Sequence, residues 1–165
     1  MGAGLQANRH TLGEAARGDI MPRSMASTAI AFSHPVRIYW EDTDAGGIVY
    51  YANYLKFFER ARTEWLRSLG IAQEKMRDES GSIFVVTDLT LRYVQAARLD
   101  DELIITVARA ASDRVTFTLA QSALRAGSLL ADGRLTLACV EAATLRPQRL
   151  PSFILDALAS HPAQP

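Results

Sequence analysis

Residues 53–69, NYLKFFERARTEWLRSL, carry the pattern on which the fold turns. Leu55, Phe58, Arg62, Trp65, Leu66 and Leu69 recur at the three- and four-residue spacing of one helical face, and all but Arg62 are apolar. Lys56, Glu59, Arg60, Glu64 and Arg67 fall mainly elsewhere. Asn53 is a suitable N-cap and Gly70 a suitable residue just past the C-terminus. The spacing predicts a helix roughly 25 Å long, enough to cross a sheet.

On both sides of this segment the period changes to two. Before it, HPVRIYW (34–40) sets Val36, Ile38 and Trp40 on one face and Arg37 and Tyr39 on the other, which predicts a strand. After it comes a polar stretch, then IFVVTDLTLRYV (83–94), with Leu89, Leu91 and Tyr93 against Thr90 and Arg92. DELIITVARA (101–110) alternates Leu103, Ile105 and Val107 with Ile104, Thr106 and Ala108. RVTFTLAQSAL (114–124) alternates Val115, Phe117 and Leu119 with Thr116, Thr118 and Ala120, and LTLACVEA (135–142) is a further apolar run. ASDR and RAGS are short turn segments suited to antiparallel neighbours. SFILDALAS predicts a short terminal helix.

The order is therefore strand, long helix and a meander of strands, an α+β architecture in which one helix covers one sheet face. The other face mixes polar side chains with apolar Ile104 and Val140, so it suits either solvent or a second subunit. A dimer is the expected minimal unit.

Composition narrows the function. The 165 residues suit one domain, and 18 basic against 18 acidic side chains leave no net field to attract nucleic acid or anionic membrane. No apolar run approaches the ~20 residues that span a bilayer. One cysteine, Cys139, cannot close an internal disulfide and suits a reducing, cytoplasmic compartment. Residues 1–33 lack a sustained period or the apolar core of a signal peptide and are expected to form a mobile extension, leaving 34–160 as the domain.

Between the first strand and the helix lies EDTDAGGIVYYANY (41–54). It offers Glu41, Asp42 and Asp44, then Gly46 and Gly47, then the start of the helix. A helix start presents unpaired N–H groups and partial positive charge. A carboxylate beside such a terminus gives a base or nucleophile for attack on a carbonyl, with the N–H groups there to stabilise the resulting oxyanion. Asp-x-x-Gly also makes ordinary turns, and an aspartate before a helix often caps it, so the residues alone leave both roles open.

RIYWEDTDAGGIVYYANYLKFFERARTEWL closely resembles the opening of the hotdog-fold acyl-CoA thioesterases, the group that includes 4-hydroxybenzoyl-CoA thioesterase and the Tol–Pal-associated thioesterases. The family pattern reads here as Arg37-Ile38, four residues, Thr43-Asp44, two residues, then Gly47-Ile48-Val49, and the match continues to Tyr54. LRYVQAARLDDELIITV resembles the family's strand–turn–strand, including Ala97 to Asp101, and the likeness covers roughly residues 34–151.

The resemblance implies a hotdog fold, a long helix wrapped by an antiparallel sheet, and thioester hydrolysis with CoA as part of the substrate and no cofactor or metal. It implies that Asp44 is the catalytic carboxylate, as nucleophile or general base, and that the backbone N–H of Tyr51 or its neighbour polarises the thioester oxygen. Gly47, Val49, Tyr50 and Tyr54 are the implied substrate-binding positions, with Arg114 placed to hold CoA phosphates and Arg98 a lesser candidate. Relatives often carry His or Phe where this chain has Tyr51, and a phenol cannot replace an imidazole as a near-neutral base. The implied partners are acyl-CoA or acyl-carrier protein and further copies of the chain, as homodimer or homotetramer with sites at the subunit interface.

Other polar residues have simpler explanations. Glu59–Arg62 and Glu64–Arg67 are spaced as i,i+3 pairs on a solvated face, His34 precedes Pro35 at a strand start, and Cys139 sits in an apolar run. His10 and His161 fall in tails. Two rival functions are a dehydratase of the same fold and a module that binds acyl carriers for a cell-envelope complex without hydrolysis.

Overall fold

The computed structural model describes residues 29–160. Five strands form one antiparallel sheet: β1 (Ile30–Arg37), β2 (Ser82–Tyr93), β3 (Glu102–Ser112), β4 (Thr116–Arg125) and β5 (Ser128–Glu141). Their spatial order is β1-β3-β4-β5-β2, so the first strands on either side of the main helix become the two sheet edges. Helix α1 (Asn53–Ser68) lies on one face, followed by α2 (Gln73–Ser80), and α3 (Ser152–Ser160) closes the chain. The expected α+β hotdog architecture is what the chain adopts.

The face of the sheet beneath α1 follows the period-two reading. Leu103, Ile105, Val107, Phe117 and Leu119 are all buried there and join Phe57, Phe58, Ala61 and Trp65 of α1 in one core. Each large apolar side chain fully withdrawn from water contributes about 1.5–3 kcal/mol. Gln121 shares this face and is buried too. Its amide donates to the Phe58 carbonyl at 2.9 Å and accepts from the Arg62 guanidinium at 2.8 Å, so a buried polar group is satisfied while it ties helix to sheet. On the opposite face Ile104 is exposed as expected, but Val140 is buried.

Several local expectations are corrected. β1 begins at Ile30, inside the segment assigned to a tail, and ends at Arg37; residues 1–28 lie outside the described residues. Trp40 does not extend the strand's buried face: it opens a single 3₁₀ turn, Trp40–Asp42, and stands 79% exposed. On α1, Phe58, Trp65 and Leu66 are buried as expected, but Tyr54, Phe57 and Ala61 are buried with them and Leu55 is exposed. Phe57 and Ala61 complete the buried stripe, and Leu55 drops out because Tyr54 takes the inward position. Asn53 does not cap: Ala52 holds the N-cap position, and the Asn53 amide instead donates to the Asp42 carbonyl at 3.0 Å. Gly70 does end the helix, its N–H on the Arg67 carbonyl.

The polar stretch after α1 contains α2, which buries only Met76 and so lacks a readable apolar stripe. β5 starts seven residues earlier than its apolar run, because Ser128 and Leu129 pair with β4 and Ala131–Arg134 pairs with both β4 and β2 even where the side chains are small or polar. Arg62 binds Gln121 rather than Glu59, and Glu59 accepts from the Thr63 hydroxyl at 2.7 Å. Glu64–Arg67 forms as expected.

Candidate active site

The loop between β1 and α1 is a tight, closed structure. The Gly47 N–H donates to the Asp44 carbonyl at 3.0 Å, the Asp44 N–H donates to Ile48 at 2.9 Å, and Thr43 and Val49 bridge as antiparallel partners. Gly47 supplies the left-handed φ of 72° that this closure requires. The loop is then pinned to its surroundings. The Tyr50 N–H donates to Asp42, and the Val49 N–H donates to the Ala97 carbonyl, each at 2.9 Å.

Within this frame the two aspartates have separate fates. Asp42 is buried and accepts the Tyr39 N–H at 2.9 Å, a structural task. Asp44 is exposed. Its Oδ1 accepts the Gly46 N–H at 2.7 Å, and among the described residues its Oδ2 has no partner. A Cβ at Gly46 would lie 3.0 Å from that Oδ1, so glycine keeps the carboxylate in place. The carboxylate is therefore oriented by one backbone donor and presents its second oxygen to solvent.

A few residues on, the backbone turns into α1. The Asn53 N–H donates to Tyr50 and the Leu55 N–H to Ala52. The N–H groups of Tyr51 and Ala52 have no acceptor among the described residues, and they sit at the positive end of the helix dipole. A third residue enters from β2: the Tyr93 hydroxyl donates to the Tyr51 carbonyl at 2.8 Å.

Tyr51, Tyr54 and Tyr93 line a cleft of about 310 Å³ together with Ile48, Val49 and Val94. The Tyr93 ring meets those of Tyr51 and Tyr54 edge-on, with centroids 6.3 and 5.6 Å apart. Burial raises the Tyr54 phenol, outweighing the Ala97 N–H that donates to its oxygen at 3.2 Å. Burial also raises Tyr93, reinforced by Tyr51 and Tyr54, and a side-chain hydrogen bond with Tyr51 raises Tyr50. Tyr50, Tyr54 and Tyr93 therefore remain phenols at neutral pH, which leaves the carboxylate as the basic group of the loop.

In the turn before β3, Asp101 accepts the Arg98 N–H at 2.8 Å and the Arg125 guanidinium at 2.6 Å. Burial alone would raise this carboxyl, but those two donors hold it below the usual carboxylate range. Arg37 and Glu102 pair nearby at the ends of β1 and β3.

The structure thus gathers Asp44, Gly47, Val49, Tyr50, Tyr51 and Tyr54 into one neighbourhood. Val49, Tyr51 and Tyr54 line the cleft, whereas Gly47 and Tyr50 shape the backbone around it. Arg114 is not brought there. It sits in the β3–β4 turn, at the end of the sheet opposite the Asp101–Arg125 pair, with its carbonyl accepting from Leu150. Tyr93 is the site residue that the sequence placed only on a strand face; its position just before the VQAARLDD turn was the available signal. Among the described residues no three His, Cys, Asp or Glu side chains are grouped to hold a metal, and no helix is long and apolar enough to cross a membrane.

One long helix wrapped by a single antiparallel sheet, with an exposed carboxylate in the loop that leads into the helix, is the arrangement of the hotdog class. A family model described as the thioesterase-like superfamily matches residues 38–158, and the chain belongs to that superfamily. It is 42% identical over 123 residues to the acyl-CoA thioesterase YbgC of Haemophilus influenzae, which covers 74% of this chain and 90% of that protein. Among solved structures it is similar to a probable thioesterase from Bartonella henselae, with 31% identity and a TM-score of 0.71 over 74% of this chain and 100% of that one. It shares its fold with a 1,4-dihydroxy-2-naphthoyl-CoA thioesterase from Synechocystis, with 19% identity and a TM-score of 0.72 over 78% and 95% of the two chains.

Proposed function

We infer that the chain hydrolyses acyl-CoA, cleaving the thioester to a free acid and CoA, with Asp44 as the reacting carboxylate. The observation that carries the assignment is the Asp44 side chain itself: exposed, oriented through one oxygen by the Gly46 N–H, and open at the other. The thioester oxygen lies against the Tyr51 and Ala52 N–H groups, which stabilise the negative charge that develops as the carbonyl carbon becomes tetrahedral. As general base, Asp44 takes a proton from water as the water oxygen bonds to carbon, the C–S bond breaks and the departing CoA thiolate takes that proton from Asp44. As nucleophile, an Asp44 oxygen bonds to the carbonyl carbon as the C–S bond breaks and CoA leaves as thiolate; water then opens the resulting anhydride, releasing the free acid, restoring the Asp44 carboxylate and giving up a proton to the thiolate. The same open oxygen serves either route, and single turnover in ¹⁸O-labelled water distinguishes them by whether label enters the Asp44 carboxylate.

Asp44→Asn removes the base and nucleophile while keeping shape, and turnover of acyl-CoA should fall by more than about 10²-fold with melting temperature unchanged. Near-wild-type thiol release by that variant would reject the assignment. A panel of acyl-CoA esters of graded length, with the same acyl groups on acyl-carrier protein, defines the preferred substrate. High identity to thioesterases and an open Asp44 favour hydrolysis over a dehydratase or a simple binding module.

The working unit we propose is a homodimer formed through the β2 edge, in a cytoplasmic setting suited to the buried free thiol of Cys139. β2 leaves one side of its ladder unpaired and exposes Val86, Leu89 and Tyr93, with no proline to block addition. Two antiparallel copies of one edge satisfy each other about a twofold axis. Sedimentation should find dimers or dimers of dimers, and Leu89→Lys should shift them toward monomer with loss of activity. A wild-type monomer at micromolar concentration would reject the arrangement.

A further inference from the structure

Two successive peptide groups at the start of α1 are held by different means. Peptides are planar, and no cis bond occurs among the described residues, so each N–H points away from the carbonyl of its own peptide. The Tyr50 carbonyl is held by the Asn53 N–H at 2.8 Å, which turns the Tyr51 N–H the other way by purely local means. The next peptide lacks such local support. The Leu55 N–H, the ordinary helical partner for the Tyr51 carbonyl, is given to Ala52 instead. The Tyr93 hydroxyl supplies the missing donor from a different strand, 42 residues away, and no other donor reaches that carbonyl among the described residues.

The Tyr93 ring is set edge-on against Tyr51 and Tyr54, and its hydroxyl meets one backbone oxygen. Tyr54 is in turn fixed by burial and by the Ala97 N–H.

We propose that Tyr93 is a positioning residue: its hydroxyl fixes the Tyr51–Ala52 peptide so that the Ala52 N–H, beside that of Tyr51, faces the thioester oxygen. This inference rests on Asp44 and the helix-start N–H groups being the reacting site. Removing an oxyanion donor outright costs about 10²–10³ in kcat. Loosening one while leaving it present should cost about five- to tenfold. The loss should appear in kcat with little change in KM, because the aligned N–H matters most when charge develops on oxygen.

The test is Tyr93→Phe in the full chain, assayed by thiol release from acyl-CoA, with melting temperature measured in parallel and Asp44→Asn as the reference variant. Support is a five- to tenfold fall in kcat, KM within about twofold of wild type, and an unchanged melting temperature. Wild-type kcat would overturn the proposal. A rise in KM at constant kcat would make Tyr93 a binding residue, and a melting temperature lowered by several degrees would make the bond structural; either also overturns it. Failure of the underlying site is separately visible, since Asp44→Asn would then retain activity whatever Tyr93→Phe does.

Discussion

Two acid-bearing turns treat their carboxylates in opposite ways. In the turn at 98–101, Asp101 is committed twice, to the Arg98 N–H and to the Arg125 guanidinium. In the turn at 44–47, Asp44 is committed once, to the Gly46 N–H, and meets no cation among the described residues. Both segments carry aspartate and a position with positive φ, Gly47 in one and Asp100 in the other. What separates them is the partner from elsewhere in the chain. Arg125 ends β4 beside Asp101, while among the described residues no cation pairs with Asp44. A carboxylate is free for chemistry when folding brings it no countercharge.

The sharpest way to break the comparison is to neutralise each acid in turn. Asp44→Asn should abolish most activity and leave stability unchanged, on the scale given above. Gly46→Ala tests how the open acid is held. Its Cβ would fall 3.0 Å from Asp44 Oδ1, so the carboxylate must shift, and kcat should drop by about tenfold, equivalent to about 1.4 kcal/mol of barrier. A wild-type rate in that variant would mean that Asp44 tolerates displacement and that its orientation is unimportant.

Asp101→Asn should do the reverse, costing about 1 kcal/mol of stability at neutral pH, an amount kept small because the pair is partly exposed. The folded carboxyl lies below its unfolded value, so the pair's contribution is complete above an unfolded pKa of about 3.9 and fades as pH falls through the folded value. Denaturation curves of wild type and variant should therefore run parallel from neutral pH to about 5 and converge at lower pH. Convergence in the alkaline direction would contradict the sign.

The two edges of the sheet repeat the lesson on a larger scale. β1 carries Pro35 and is bounded by the Arg37–Glu102 pair, features that discourage another strand from adding. β2 offers twelve residues with exposed Val86 and Leu89. Both read from sequence as amphipathic strands; strand order alone makes them edges.

Much was legible in advance because it depends on local spacing. The long helix, its end at Gly70, the inward faces of β3 and β4, and the loop carrying Asp44 all follow from residue types at fixed intervals. The errors arose where a residue's role depends on distant partners. Trp40 has the look of a buried strand residue, but the strand stops at Arg37. Asn53 has the chemistry of a cap, yet Asp42 lies within reach of its amide. Arg62 has Glu59 at the right spacing, and Gln121 of β4 competes successfully for it.

By itself the sequence determined the class of fold and the identity of the open carboxylate's loop, because hydrophobic period and glycine placement act over a few residues. Tertiary structure decided which acid is neutralised, which edge is open, and that Tyr93 meets the Tyr51 carbonyl. These depend on groups dozens of residues apart, and only the packed sheet sets their distances.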